Sequence, residues 1–205
     1  MEKTDYLIYG GGTHSRVVIS ILEKIGIQIA GIFDTNNRLK KIEKIPFLGH
    51  YDAQIYSNCK LVIAIGDNDI RKKISEVIQH PIGTIIDPDA MISEEVLIGE
   101  GTQIITSSII NVGTKIGKHC IINTNSSIDH DCKIYDFVHI APGVTICGGV
   151  SIGKSTLVGA GTTILPNVNV GENVVIGAGS LVNKDIPDNS KVLGSPAKII
   201  ENEKK

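Results

Sequence analysis

Ile116-Gly117-Lys118-His119-Cys120-Ile121-Ile122-Asn123-Thr124-Asn125-Ser126-Ser127-Ile128-Asp129-His130-Asp131-Cys132-Lys133-Ile134 places isoleucine at every sixth position, at 116, 122, 128 and 134. Reading outward in both directions keeps the phase. From Ile86 to Val182, seventeen successive sixth positions are Ile or Val without a miss. Four residues after these, the slots hold small or β-branched residues such as Thr102, Ser108, Thr114, Cys120, Ser126, Cys132, Val138 and Val144. A period of six is neither the 3.6 of a helix nor the 2 of a strand. It suits a three-sided coil with one hexad per wall, the hexapeptide form of the parallel β-helix. The hexad aliphatics are then expected to point inward, with the small residues where the walls converge. Glycines at 99, 117, 153, 159, 171 and 177 are expected at bends that need positive φ. The tail Gly194-Ser195-Pro196-Ala197-Lys198 is placed to cap the open end of the coil.

Residues 1–85 follow another rhythm. Tyr6 to Tyr9 reads as a strand, Gly10-Gly11-Gly12-Thr13-His14-Ser15 as a turn, and Arg16 to Ile25 as an amphipathic helix. Further strands are expected over Ile29–Phe33, Leu61–Ile65 and Ile82–Ile86. A helix is expected from about Asp69 to Gln79, capped by Asn68 or Asp69. Alternating strands and helices predict a small Rossmann-like βαβ parallel sheet. The predicted organisation is therefore an α/β domain over 1–85 and a β-helix with its tail over 86–205.

Composition excludes several classes. Twenty basic against 22 acidic residues give a net charge of −2 and a pI near 6.3, which argues against nucleic-acid binding by phosphate neutralisation. No apolar run reaches the roughly 18 residues of a membrane span. Met1-Glu2-Lys3-Thr4-Asp5 lacks the layout of a signal peptide. Four cysteines (Cys59, Cys120, Cys132, Cys147) form no CxxC pair, so a reducing, cytoplasmic setting is expected.

Three motifs carry chemistry. A glycine turn between a strand and a helix aims backbone N–H groups at an anion, and Asp34 closes the next strand. Ser15 stands where the dinucleotide fingerprint has its third glycine, so a mononucleotide or nucleotide-linked sugar fits better than a dinucleotide; a purely structural turn is the alternative. His130 is flanked by Asp129 and Asp131, a setting that raises basicity and orients the ring, although a solvated surface histidine would look the same. His119, His130 and His139 are separated by 11 and 9 residues, so they do not stack as zinc ligands on successive coils, and no metal is expected.

Tyr9-Gly10-Gly11-Gly12-Thr13-His14, Ile63-Ala64-Ile65-Gly66-Asp67-Asn68-Asp69-Ile70-Arg71-Lys72-Lys73-Ile74, Ile122-Asn123-Thr124, Asp129-His130-Asp131-Cys132 and Gly194-Ser195-Pro196-Ala197-Lys198 occur in the order seen in one family. Through them the chain resembles the hexapeptide-repeat acyltransferases of the sialic acid O-acetyltransferase and aminosugar N-acetyltransferase group. Within that group it looks most like the UDP-4-amino-sugar N-acetyltransferases of the N,N′-diacetylbacillosamine pathway. The resemblance implies a left-handed coil and a homotrimer whose active sites lie between subunits. It implies acetyl-CoA as co-substrate, with no metal, nucleic acid or membrane partner. It assigns His130 as general base, Asp131 as its acid partner and Asn123 to the reacting groups. It gives His139, Gly148, Ala160 and Ala178 to acetyl-CoA. Gly12, Thr13, His14, Asp34, Thr35 and Gly66 fall to the nucleotide sugar. Asp131 stands where the family usually has Glu, and Thr35 replaces a second Asp.

The expected activity is acetylation of the 4-amino group of a nucleotide-linked, UDP-type 4-amino-4,6-dideoxy sugar for surface glycan biosynthesis, by direct transfer. O-acetylation of sialic acid or another sugar is the alternative within enzymes. A non-catalytic nucleotide-binding scaffold is the alternative outside them.

Overall fold

A computed structural model describes residues 5–36, 41–42 and 44–202. The chain forms two compact units, residues 1–87 and 88–205.

In the first unit, β1 (Tyr6–Tyr9) lies between β2 (Ile29–Phe33) and a strand at Lys60–Ile63, parallel to both. Two further strands, β3 (Lys41–Ile42) and β4 (Ile45–Gly49), form an antiparallel hairpin, with β4 parallel to β2. The Lys60–Ile63 strand is β5, and the sheet order is β3-β4-β2-β1-β5. Leu7, Phe33, Leu61 and Ile63 make a buried cluster on this sheet, as expected of near-continuous apolar strands. The hairpin is not anticipated by the sequence reading, because Pro46 breaks the β signal of its second strand.

Helix α1 runs over Thr13–Lys24, with Gly12 as N-cap. It begins three residues before the predicted Arg16. Helix α2 is Asn68–Ser75, shorter than expected. Its cap is Asp67, whose carboxylate accepts the Ile70 N–H at 2.8 Å, rather than Asn68 or Asp69. The predicted strand at Ile82–Ile86 is reduced to a bridge from Leu61 to Ile82 and a two-residue strand at Ile85–Ile86.

The second unit is the expected parallel β-helix. Strands of two residues pair in parallel with their counterparts 18 residues on, as Ile110 with Ile128 and Ile128 with Ile146. Three ladders form the walls. One carries Ser127–Ile128, the next Lys133–Ile134 and the third His139–Ile140. From Ile104 to Val182 every hexad aliphatic is buried, in one continuous core. The start of the series is looser: Ile86 is 39% exposed, and Ile92 and Ile98 are half-buried.

From Thr102 onward the row four residues on is fully inward, and its hydroxyls brace successive coils. Thr102 Oγ donates to Gly117 O at 2.8 Å and accepts the Cys120 N–H at 3.0 Å. Thr114 does the same for Asp129 and Cys132, and Thr156 for Gly171 and Val174. A buried hydroxyl thus has both a donor and an acceptor role filled.

Positive φ falls elsewhere than predicted. It occurs three residues after each hexad aliphatic from Ile98 to Ile176, at positions that include Gly101, Ser107, His119, Asp131, Phe137, Gly149 and Asn167. The glycines directly after the aliphatic are present for closeness instead. A Cβ on Gly99 or Gly153 would come within 2.5 Å of the backbone of the next coil.

The open end is closed as the sequence suggests. Asp185 accepts the Asn169 N–H at 2.7 Å and Asp188 the Glu172 N–H at 2.8 Å. Beyond them Ser190–Gly194 continues one wall and Ala197–Asn202 returns antiparallel to it.

Candidate active site

His130 sits on the turn that follows the Ser127–Ile128 strand. That turn is held from both sides. Below it, Thr114 Oγ donates to Asp129 O and accepts the Cys132 N–H, while Asp131 N–H donates to Val112 O at 3.0 Å. Above it, Gly149 N–H donates to His130 O at 2.9 Å. The exposed imidazole is therefore carried on a fixed backbone.

The ring itself is oriented by a carboxylate. His130 Nδ1 lies 2.9 Å from Asp131 Oδ2, which assigns the proton to Nδ1 and leaves Nε2 as the acceptor. Asp131 has φ +58°, a region that Asp enters more readily than most residues. From there the short side chain reaches the ring. The hydrogen bond to Asp131, and after it the negative charge of Asp129, raise the His130 pKa above its ordinary 6.5.

His130 opens on a cavity of about 370 Å³ lined by Asp129, His130, Asp131, Cys147, Gly148, Gly149, Pro166 and Asn167. Gly148 is the wall against the ring: a Cβ there would stand 2.5 Å from Nε2. A neutral Nε2 at the edge of an open cavity, backed by an anion, can take a proton from an incoming amine.

Asn123 follows the Ile121–Ile122 strand at a different edge of the prism, and there it meets His139 from the strand His139–Ile140 of the next coil. Thr124 N–H donates to Asn123 Oδ1 at 2.8 Å, so the amide nitrogen faces His139 Nε2 at 3.2 Å. Ala160 and Ala178 lie exposed at the same edge on later coils. The predicted acetyl-CoA set thus divides: Gly148 stands with His130 and Asp131, and the others stand with Asn123.

The nucleotide motif forms a second cavity, of about 270 Å³, in the first unit. Gly10, Gly12, Thr13, His14, Asp34, Ala64, Ile65 and Gly66 line it. Five of these, Gly12, Thr13, His14, Asp34 and Gly66, are residues expected here from the sequence; Thr35 follows Asp34 on the exposed surface and is not a lining residue. Asp34 braces the glycine turn, its Oδ2 accepting the Gly11 N–H at 2.6 Å and its Oδ1 the Asn36 N–H at 2.8 Å. Ser15, in place of the third glycine, is buried and donates to Gly12 O at 2.7 Å.

Arg71 is a site residue that the sequence hides. Fully buried, it donates to the carbonyls of Ile65, Gly66 and Asp67 and to Asn68 Oδ1, and so holds the loop that walls this cavity. Within Arg71-Lys72-Lys73 it reads as one more surface charge. Cys120 and Cys132 are buried core residues, and burial pushes the Cys132 thiol up. His119 is buried and stacks on Phe137 at 5.1 Å. Among the described residues no group of His, Cys, Asp or Glu is placed to hold a metal ion. Nor is any described helix long and apolar enough to cross a membrane.

Comparison with known proteins agrees with this anatomy. Residues 5–78 match the PglD N-terminal domain, and residues 149–184 match the bacterial transferase hexapeptide (six repeats). A solved mutant of the perosamine N-acetyltransferase from Caulobacter crescentus, in complex with CoA and GDP-perosamine, is 33% identical, with a TM-score of 0.91 over 97% of each chain. The acetyltransferase domain of PglB from Neisseria gonorrhoeae, in complex with acetyl coenzyme A, is 28% identical, with a TM-score of 0.88 over 97% of this chain and 100% of that one. An uncharacterized protein of Acanthamoeba polyphaga mimivirus is 36% identical over 105 residues, half of this chain and 21% of its own length. The chain thus spans about a fifth of that curated relative. With both domain signatures present and 33% identity along a solved relative of nearly equal extent, the chain belongs to the hexapeptide-repeat sugar acetyltransferases, in the group that carries a PglD-type N-terminal domain.

Proposed function

We propose that the protein is an acetyl-CoA-dependent N-acetyltransferase acting on the 4-amino group of a nucleotide-linked 4-amino-4,6-dideoxy sugar. The observation that carries this is the His130–Asp131 pair, with Nε2 left open to a cavity cut into a hexapeptide coil. The neutral amine attacks the thioester carbonyl, and His130 Nε2 accepts the proton that the nitrogen sheds. Collapse of the tetrahedral intermediate breaks the C–S bond, and the same proton leaves with the CoA thiolate. No enzyme-bound acyl group is needed, because positioning alone makes the attack efficient.

Residues 1–87 supply the nucleotide-sugar site in this reading, and the coil supplies the acyl-transfer site. Gly12, Thr13 and His14 offer the start of α1 to the diphosphate, with Asp34 and Gly66 beside it. The division of Asn123 and His139 from His130 and Asp131 favours a homotrimer, in which one copy's edge faces the other edge of its neighbour and acetyl-CoA runs between them. The Caulobacter neighbour holds a guanosine sugar, so the uridine expected from the sequence is put to test beside guanosine. A role in surface glycan assembly, in the cytoplasm, follows from this substrate class.

The test offers purified protein acetyl-CoA with UDP-, GDP- and dTDP-linked 4-amino-4,6-dideoxy sugars and with free sialic acid. Thiol release and product mass are the readouts. Acetylation of an amine on a nucleotide sugar supports the reading; acetylation of hydroxyl acceptors alone contradicts it.

A further inference from the structure

The turn one coil below His130 carries a residue that the mechanism above does not use. Ile110 pairs with Ile128, which sets Asn111 in register beneath Asp129. Asn111 Nδ2 donates to Asp129 Oδ1 at 2.9 Å, and the same oxygen accepts the His130 backbone N–H at 2.8 Å. One carboxylate oxygen therefore ties the turn below to the backbone of the candidate base. The Asn111 hydrogen bond, and then the His130 N–H, also hold the Asp129 carboxyl below the usual carboxylate range.

We propose that Asn111 is a positioning residue for acetyl transfer: through Asp129 it fixes the His130 turn and keeps a second carboxylate beside the imidazole. The inference rests on the reading of His130 as the base for the sugar amine. The titratable groups around the ring are few. Asp129 and Asp131 lie on its own turn, and the Cys147 thiol lines the cavity from the coil above. Gly148, Gly149, Pro166 and Asn167 add none, nor does the turn from Asn111 to Thr114 below. Asp131 bonds the ring directly, whereas Asp129 acts by charge and by holding the main chain. Without the amide beneath it, Asp129 keeps its charge near neutral pH but loses its fixed direction.

Asn111 is exposed, so Asn111→Ala is expected to leave the fold intact. The variant should lose about tenfold in kcat, with KM for acetyl-CoA and acceptor within about twofold. Asn111→Ala/Asp129→Ala should be no slower than Asp129→Ala alone, since both changes break one chain of contacts. NMR titration of the His130 ring, which needs no substrate, should show its pKa lowered on the order of half a unit in Asn111→Ala. Asp129→Asn, which keeps an acceptor for the amide but removes the charge, should lower it too. Fully additive rate losses, or a His130 titration unmoved in Asn111→Ala, would overturn the proposal. If the wild type acetylates no amino sugar, the functional reading fails, and the NMR arm still decides whether Asn111 controls His130.

Discussion

Gly148 lies so close to the His130 imidazole that a single added methyl would stand 2.5 Å from Nε2, inside van der Waals contact. The ring is the movable partner, since it is exposed and turns about its own side-chain bonds, whereas Gly148 belongs to the buried coil backbone. Gly148→Ala should therefore preserve the fold while displacing the base. A loss of about 10²-fold in kcat/KM is expected, with the melting temperature nearly unchanged. Steady-state kinetics beside a thermal melt checks it, and an active variant would show that Nε2 is used from another orientation.

The pH dependence follows from the pair. The hydrogen bond to Asp131 and the charge of Asp129 raise the His130 pKa. Because the base must be neutral, kcat/KM should climb with pH through a value above the ordinary 6.5. Asp131→Asn removes the main stabilisation of the imidazolium, so the acidic limb should move to lower pH while the plateau falls about tenfold. A limb that stays in place in Asp131→Asn would assign the titration to another group.

Asn123 orients His139 at the other edge, its amide nitrogen 3.2 Å from Nε2. Asn123→Ala removes the amide from that ring and the acceptor from the Thr124 N–H together. A loss of about thirtyfold in kcat/KM for acetyl-CoA is expected, from two hydrogen bonds of roughly 1 kcal/mol each. Acetyl-CoA titrations of the wild type and the variant measure it.

Asp34 belongs to the other unit and should separate cleanly. Its carboxylate holds the Gly11 and Asn36 N–H groups, so Asp34→Ala loosens the glycine turn. KM for the nucleotide sugar should rise about tenfold or more, with KM for acetyl-CoA unchanged. A rise in both would mean that the two units do not divide the substrates.

The hexad period revealed the coil because burial repeats with it: a wall of fixed length leaves Ile or Val inward each time, from Ile104 to Val182. Positive φ could not be read the same way. Ser107, His119 and Phe137 share one backbone state but no side-chain chemistry, so no residue pattern announced it. His130 and Asp131 were legible as a flanked histidine. Asn111 was not, because it reaches Asp129 only through the 18-residue register that the fold creates. Arg71 was hidden by its neighbours in sequence, and Asp67 took the cap from Asn68 by one residue, a shift that local propensity does not resolve.

The central claim is that His130 accepts the proton of the sugar amine. Turnover of His130→Ala on an accepted nucleotide-linked 4-amino sugar, at saturating acetyl-CoA, tests it most directly. A fall of about 10²–10⁴-fold in kcat, with the acidic limb of the pH profile abolished, is the expected result. Near-normal turnover with the limb intact would contradict it.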